Sequence, residues 1–314
     1  MSSVTEEGLA GIRLLVCMAR ADGVMHADER FALEDALAGL SLPEGVTAEK
    51  LIDETHDALA LAKVITSPEG RDYTYASVYS LAHCDRHLHD AEQKILNVLR
   101  AEWQIKPEED SALADALDVG RSTQTGMPRV APVADEKARE SEFNSLLTRY
   151  SILTAVTGAI PVPLVPDLLV VPMQMKLVYD VAALFGQKTD KKTIQIMFET
   201  LGIGTGCRLG VSVISKFVPG WGSVVGATTA YATTYALGKV AWAYFLNDGK
   251  TTVEALKPLY KAEKEHGKQE YQKHKAALEE AQLAHAEKLK QLAFQLQQGK
   301  ITQQQYEESV DALS

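Results

Sequence analysis

The chain has 314 residues, 46% of them hydrophobic and 24% charged, and a formal net charge of −10. This balance is ordinary for folded protein and excludes wholesale disorder. Three scattered cysteines, Cys17, Cys84 and Cys207, exclude a disulfide framework and a CxxC zinc ribbon, and a start without a basic n-region gives no secretory signal, so a reducing cytoplasm is the expected compartment.

Charge is unevenly distributed. Residues 1–118 hold 23 acidic and 10 basic side chains, residues 119–249 hold 9 and 12, and residues 250–314 hold 10 of each. An acidic first third disfavours nucleic acid, because phosphate binding needs a basic face, and suits cations or basic partners.

In that first third, Leu9, Ile12, Leu15, Val16 and Met18 recur at helical spacing, and Phe31, Leu33, Ala36, Leu37 and Leu40 form a second stripe. No stretch alternates with a period of two, so the region reads as helix throughout. Between the stripes lies Ala21-Asp22-Gly23-Val24-Met25-His26-Ala27-Asp28-Glu29. Its pattern returns 63 residues later as Cys84-Asp85-Arg86-His87-Leu88-His89-Asp90-Ala91-Glu92, again between apolar helices. Two helix–turn–helix units in one small domain are predicted. Two readings fit the repeat. In one, His26 and His89 stand at N-cap positions, and Glu29 and Glu92 close capping boxes three residues on. In the other, Asp22, His26 and Glu29, with Asp85, His89 and Glu92, ligate a divalent metal ion through mixed nitrogen and oxygen donors.

The Asp22-Gly23…Glu29 signature, repeated around Asp85 and Glu92, resembles the tellurite-resistance TerB family over about residues 5–115. The resemblance implies an all-helical, non-enzymatic domain with clustered acidic residues, metal binding, and a tie to stress response and membrane-associated complexes. Arg86 departs from it, standing where the first unit has Gly23.

Residues 119–142 read as a linker that is poor in apolar periodicity and carries Gly, Ser, Thr and Pro in its first half. The next region, 143–249, is apolar and glycine-rich. Tyr150–Pro166 is 17 residues without a charge, and the prolines of Ile160–Pro166 break it into a turn between helices. One helix is expected over Leu168–Phe185, another from Thr193 toward Val218, and a last one after Pro219-Gly220 to Phe245. Phe217–Gly238 is 22 residues without a charge, a length that suffices for a bilayer, which about 20 residues span. Gly202, Gly206 and Gly210 fall four apart, as do Gly222, Gly226, Ala230, Thr234 and Gly238. On helices, such ridges of small residues let neighbouring backbones approach closely, either in a membrane-touching hairpin or in a tightly packed soluble one. Gly202-Ile203-Gly204-Thr205-Gly206 is not a dinucleotide fingerprint, because Cys207 stands where the last glycine belongs, and the chain has no P-loop.

The spaced prolines of Ala155–Asp167, with Pro219-Gly220-Trp221-Gly222-Ser223 and Thr233-Thr234-Tyr235-Ala236-Leu237-Gly238-Lys239, resemble an uncharacterised helical domain over about 145–247. Bacteria often attach that domain to Era-like or dynamin-like GTPases. With the GTPase missing here, the resemblance implies a GTPase partner in trans.

Residues 250–314 are rich in Ala, Glu, Lys, Gln and Leu and form a helical tail with a thin stripe of Leu278, Leu289, Leu292 and Leu296. Gly299-Lys300 ends this helix. Thr302 with Gln305 predicts a capping box, and Ile301 with Tyr306 a hydrophobic staple. The short hairpin resembles the SHOCT motif, which implies a homo-oligomer. Otherwise the tail folds back on the body, adding little apolar surface to another core.

The chain therefore reads as all-α: an N-terminal bundle of two helix–turn–helix repeats, a Gly-rich hairpin domain, and a long tail helix with a short hairpin. The expected role is a non-enzymatic, cytoplasmic adaptor, peripheral to or inserted in the inner membrane. It would contact a membrane surface or membrane proteins and bind no nucleic acid. The alternatives are a soluble metal-binding sensor, a GTPase-partner protein, and a thiol-dependent enzyme using Cys84 beside its histidines.

Overall fold

The computed structural model describes residues 4–21, 42–83, 88–108, 130–160, 165–203, 222–297 and 300–313, together with positions 23, 25, 30, 33, 34, 37, 110 and 113. Every regular element among them is a helix, so the fold is all-α. The described residues fall into two units. One takes those within 1–118, 161–167 and 202–225, and the other those within 119–160, 168–201 and 226–314.

The first unit contains α1 (Glu6–Ala19), α2 (Ala48–Asp53), α3 (Ala58–Val64), α4 (Pro68–Ala82) and α5 (Asp90–Trp103). Local chemistry sets where four of them begin. The side chains of Thr5, Thr47, Asp57 and Ser67 each accept an N–H of the first helical turn, satisfying a donor that the helix cannot. α1 packs on α3 and α4 and is apolar nearly all round, with Ile12, Leu14, Leu15, Val16 and Met18 each at most 1% exposed. α5 covers α3 and α4 with Leu96, Leu99 and Trp103, and the Trp103 indole donates to the Ala62 carbonyl at 3.0 Å.

The second unit is built on α6 (Glu136–Gly158), α7 (Val165–Leu184) from Leu168 onward, α8 (Lys191–Thr200), α9 (Gly222–Leu246) from Gly226 onward, α10 (Val253–Gln297) and α11 (Gln303–Asp311). α8 ends earlier than its sequence suggests. It closes at Thr200, and Gly202 then takes a left-handed φ of 68°, so Gly202 follows a helix instead of standing within one.

The tail also buries more than its leucines suggest. Tyr260, Lys264, Gly267, Tyr271 and Leu278 of α10 are buried at three-, four- and seven-residue steps, and Leu289, Ala293 and Leu296 extend the stripe. Beyond the leucines, tyrosine, glycine and the stem of a lysine fill these positions. α10 crosses α9 at Gly267, where a Cβ would stand 2.9 Å from the Ala232 Cα. α11 opens with the predicted capping box: Thr302 Oγ1 accepts the Gln305 N–H at 3.2 Å, and Gln305 Oε1 accepts the Thr302 N–H at 2.8 Å.

Candidate functional site

Of the six residues read as metal ligands, Asp22, His26, Glu29 and Asp85 lie outside the described residues. The other two cap α5. Glu92 Oε2 accepts the His89 N–H at 2.8 Å, and His89 Nδ1 lies 3.4 Å from the Ala91 N. One Glu92 oxygen and the His89 Nδ1 thus face backbone N–H groups. Among the described residues, no group of three or more His, Cys, Asp or Glu side chains is arranged to hold a metal. Cys84 also lies outside the described residues. The nearby His83 Nδ1 is 2.8 Å from the Tyr79 carbonyl, and the His83 ring stacks on Tyr79 at 4.1 Å. Cys17 points its thiol at the His56 carbonyl, and burial pushes it above an ordinary thiol, the reverse of an activated nucleophile.

The glycine ridge of α9 is engaged inside the second unit. Gly206 and Gly210 lie outside the described residues, and Gly222 is the first residue of α9. Further along, a Cβ on Gly158 of α6 would meet both the Ala230 Cβ and the Gly226 carbonyl oxygen at 2.8 Å, so α6 and α9 approach to a distance that only glycine permits. At Gly238 the same test meets Leu147 Cδ1 at 2.5 Å and Leu177 Cδ2 at 3.2 Å. Between these points the seam is polar. Thr154 Oγ1 lies 2.9 Å from Thr234 Oγ1, Gln174 Nε2 donates to Thr234 Oγ1 at 3.0 Å, and the Tyr150 hydroxyl donates to Asp180 Oδ2 at 2.8 Å. Tyr150, Thr154, Asp180 and Thr234 are all fully buried. In a low-dielectric interior such groups require partners, and here they find one another.

α11 docks beside this seam through charge. Lys176 Nζ of α7 donates to Glu307 Oε2 at 3.0 Å, with the two side chains only 7% and 0% exposed. Arg149 Nε of α6 donates to Asp311 Oδ2 at 3.0 Å. Burial works against the Arg149 charge, but Asp311, and more weakly Glu307, hold its pKa above the ordinary value. The Tyr306 hydroxyl lies 3.2 Å from Thr157 Oγ1, and burial pushes its phenol far up.

Arg149, Lys176, Asp180, Glu307 and Asp311 were not singled out from the sequence. A signal was present, because Lys176 and Asp180 are the charges beyond the first turn of a largely apolar helix, and such charges demand buried partners. The arrangement positions helices. It aligns no nucleophile with a base.

Comparison with known proteins finds a distant relative. The chain is 27% identical to magnetosome membrane protein 22 of Magnetospirillum gryphiswaldense over 162 residues, covering 48% of this chain and 83% of that protein. No family model matches the chain, so the TerB, GTPase-associated and SHOCT resemblances are without a matching model, and no solved structure matches. Among the described residues no helix is long and apolar enough to cross a membrane. α9 has the length, but its threonines, glycines and tyrosines keep its hydropathy low.

Proposed function

We propose that this protein is a non-enzymatic scaffold that associates with a membrane at its surface. The observation that carries the reading is the inward use of the α9 ridge. Gly226, Ala230, Thr234 and Gly238 belong to the longest uncharged stretch of the chain, and they pack against α6 and α7 within the same molecule. Small residues engaged in this way are not free to pair with a helix in a bilayer. Likeness to a protein named for a membrane supports attachment, and the inward ridge favours attachment at the surface.

Membrane fractionation tests this. The protein should sediment with membranes at neutral pH and be released by alkaline carbonate. Recovery wholly in the soluble fraction would remove the membrane from the reading, and resistance to carbonate would replace peripheral attachment with insertion.

A further inference from the structure

We infer that the face of α6, α7 and α10 beneath α11 is an acceptor slot for acidic helices, and that α11 is its resident occupant. A partner protein offering an aromatic–acidic pair and, four residues further on, an aliphatic–acidic pair would take the place of Tyr306-Glu307 and Val310-Asp311. This extends the scaffold reading by naming a class of partner, and it can be tested in solution without a membrane.

Four observations converge. First, the contacts of α11 lie on one face. Tyr306, Glu307 and Val310 are fully buried and Asp311 is half-buried, while Gln304, Gln305 and Glu308 face solvent. Second, the charges are sorted by side. In the pairs Lys176–Glu307 and Arg149–Asp311 the slot supplies the cations and α11 the anions. A buried ion pair adds little net stability compared with apolar packing, yet it penalises strongly any occupant lacking the matching charge. Third, α11 is nine residues long, and an isolated helix shorter than about 12–15 residues is marginal in water, so α11 forms by docking. Fourth, the floor of the slot does not depend on α11. The bonds Tyr150–Asp180, Thr154–Thr234 and Gln174–Thr234 all lie among α6, α7 and α9. When α11 leaves, Lys176 and Arg149 meet water and the floor remains.

The tether sets the competition. α10 ends at Gln297 and α11 begins at Gln303. A short connection of this kind holds its end at an effective concentration of about millimolar. A free helix with the same contacts must approach that level to displace α11 from the wild type, and far less is needed once the resident is disabled.

The test uses a labelled peptide of residues 300–314 and the full-length protein, read by fluorescence anisotropy. In the variant E307K/D311K the tail no longer matches the slot while Lys176 and Arg149 are intact. The peptide should bind this variant at least tenfold more tightly than the wild type. Adding K176E should abolish that binding, and a peptide carrying E307K and D311K should not bind. A folded E307K/D311K protein that ignores the peptide overturns the proposal, as does binding indifferent to K176E. Should E307K/D311K fail to fold, the wild type decides. Amide exchange across 303–311 should accelerate as unlabelled peptide passes about millimolar, and unchanged exchange at that level overturns the slot while leaving the scaffold reading to the fractionation result.

Discussion

Apart from the buried Trp103–Ala62 bond, the first unit ties its helices together mainly with charged side chains near solvent, whereas the second places charged side chains between helices. In the first, Glu7 of α1 accepts from both the backbone N–H and the hydroxyl of Thr66 and Ser67 at 2.5–3.1 Å, reaching the N-terminus of α4. Arg13 pairs with Glu54 at 3.1 Å and Arg30 with Asp53 at 2.9 Å, all partly or fully exposed. In the second, Lys176–Glu307 and Tyr150–Asp180 are buried. A tie near solvent can be cut and rehydrated. A tie between helices leaves an orphaned group when cut, so it specifies one arrangement over others.

The sharpest way to break this contrast is at the buried pair. Lys176→Ala should destabilise the protein by about 3 kcal/mol, the low end for a severed buried pair, because α11 can detach and rehydrate Glu307. Lys176→Met with Glu307→Leu should recover most of the loss, since apolar groups of similar volume pack without a desolvation penalty. Denaturant unfolding measures both, and a single mutant as stable as the wild type would erase the contrast.

Next in size is the helix crossing at Gly158. Gly158→Ala places a Cβ against backbone at Gly226, which has no flexible end to yield, and should cost about 2 kcal/mol by overpacking. A neutral result would mean that α6 and α9 lie further apart than the 2.8 Å approach indicates.

Glu7 gives a smaller effect with a pH signature. Burial raises its pKa, but the hydrogen bonds from Ser67 and Thr66 outweigh this and hold it at about 2, below the ordinary 4.5. A depressed carboxyl stabilises the fold fully above its unfolded value, and that stabilisation disappears as pH falls through the folded value. The melting temperature of Glu7→Gln should therefore trail the wild type at pH 6–7, and the gap should close between about pH 4.5 and 2. A gap independent of pH would assign the loss to geometry instead of charge. Arg30→Ala, at an exposed pair, should leave the melting temperature unchanged.

Much of the fold was legible in the sequence, because helical periodicity and caps are local. The apolar spacing of Leu9–Ala19 predicts α1, and Thr302 with Gln305 predicts the start of α11. Four-residue spacing likewise picks out Gly226, Ala230, Thr234 and Gly238 as one face of α9. What that face meets was not legible, since Leu147 and Gly158 of α6 and Leu177 of α7 are distant in sequence from α9 and no local period links them to it. The tail was under-read for a related reason. Its buried stripe contains Tyr260, Lys264 and Tyr271, whose polar tips conceal the burial of their stems. The ion pairs of α11 were invisible to periodicity, because nothing local tells Glu307 that its partner lies 131 residues upstream.

That separation also has a consequence during synthesis. A ribosome adding roughly 5–20 residues per second makes Glu307 about 7–26 s after Lys176. Through that interval Lys176 is without Glu307. The buried Lys176–Glu307 pair can therefore form only after the chain has grown 131 residues past Lys176.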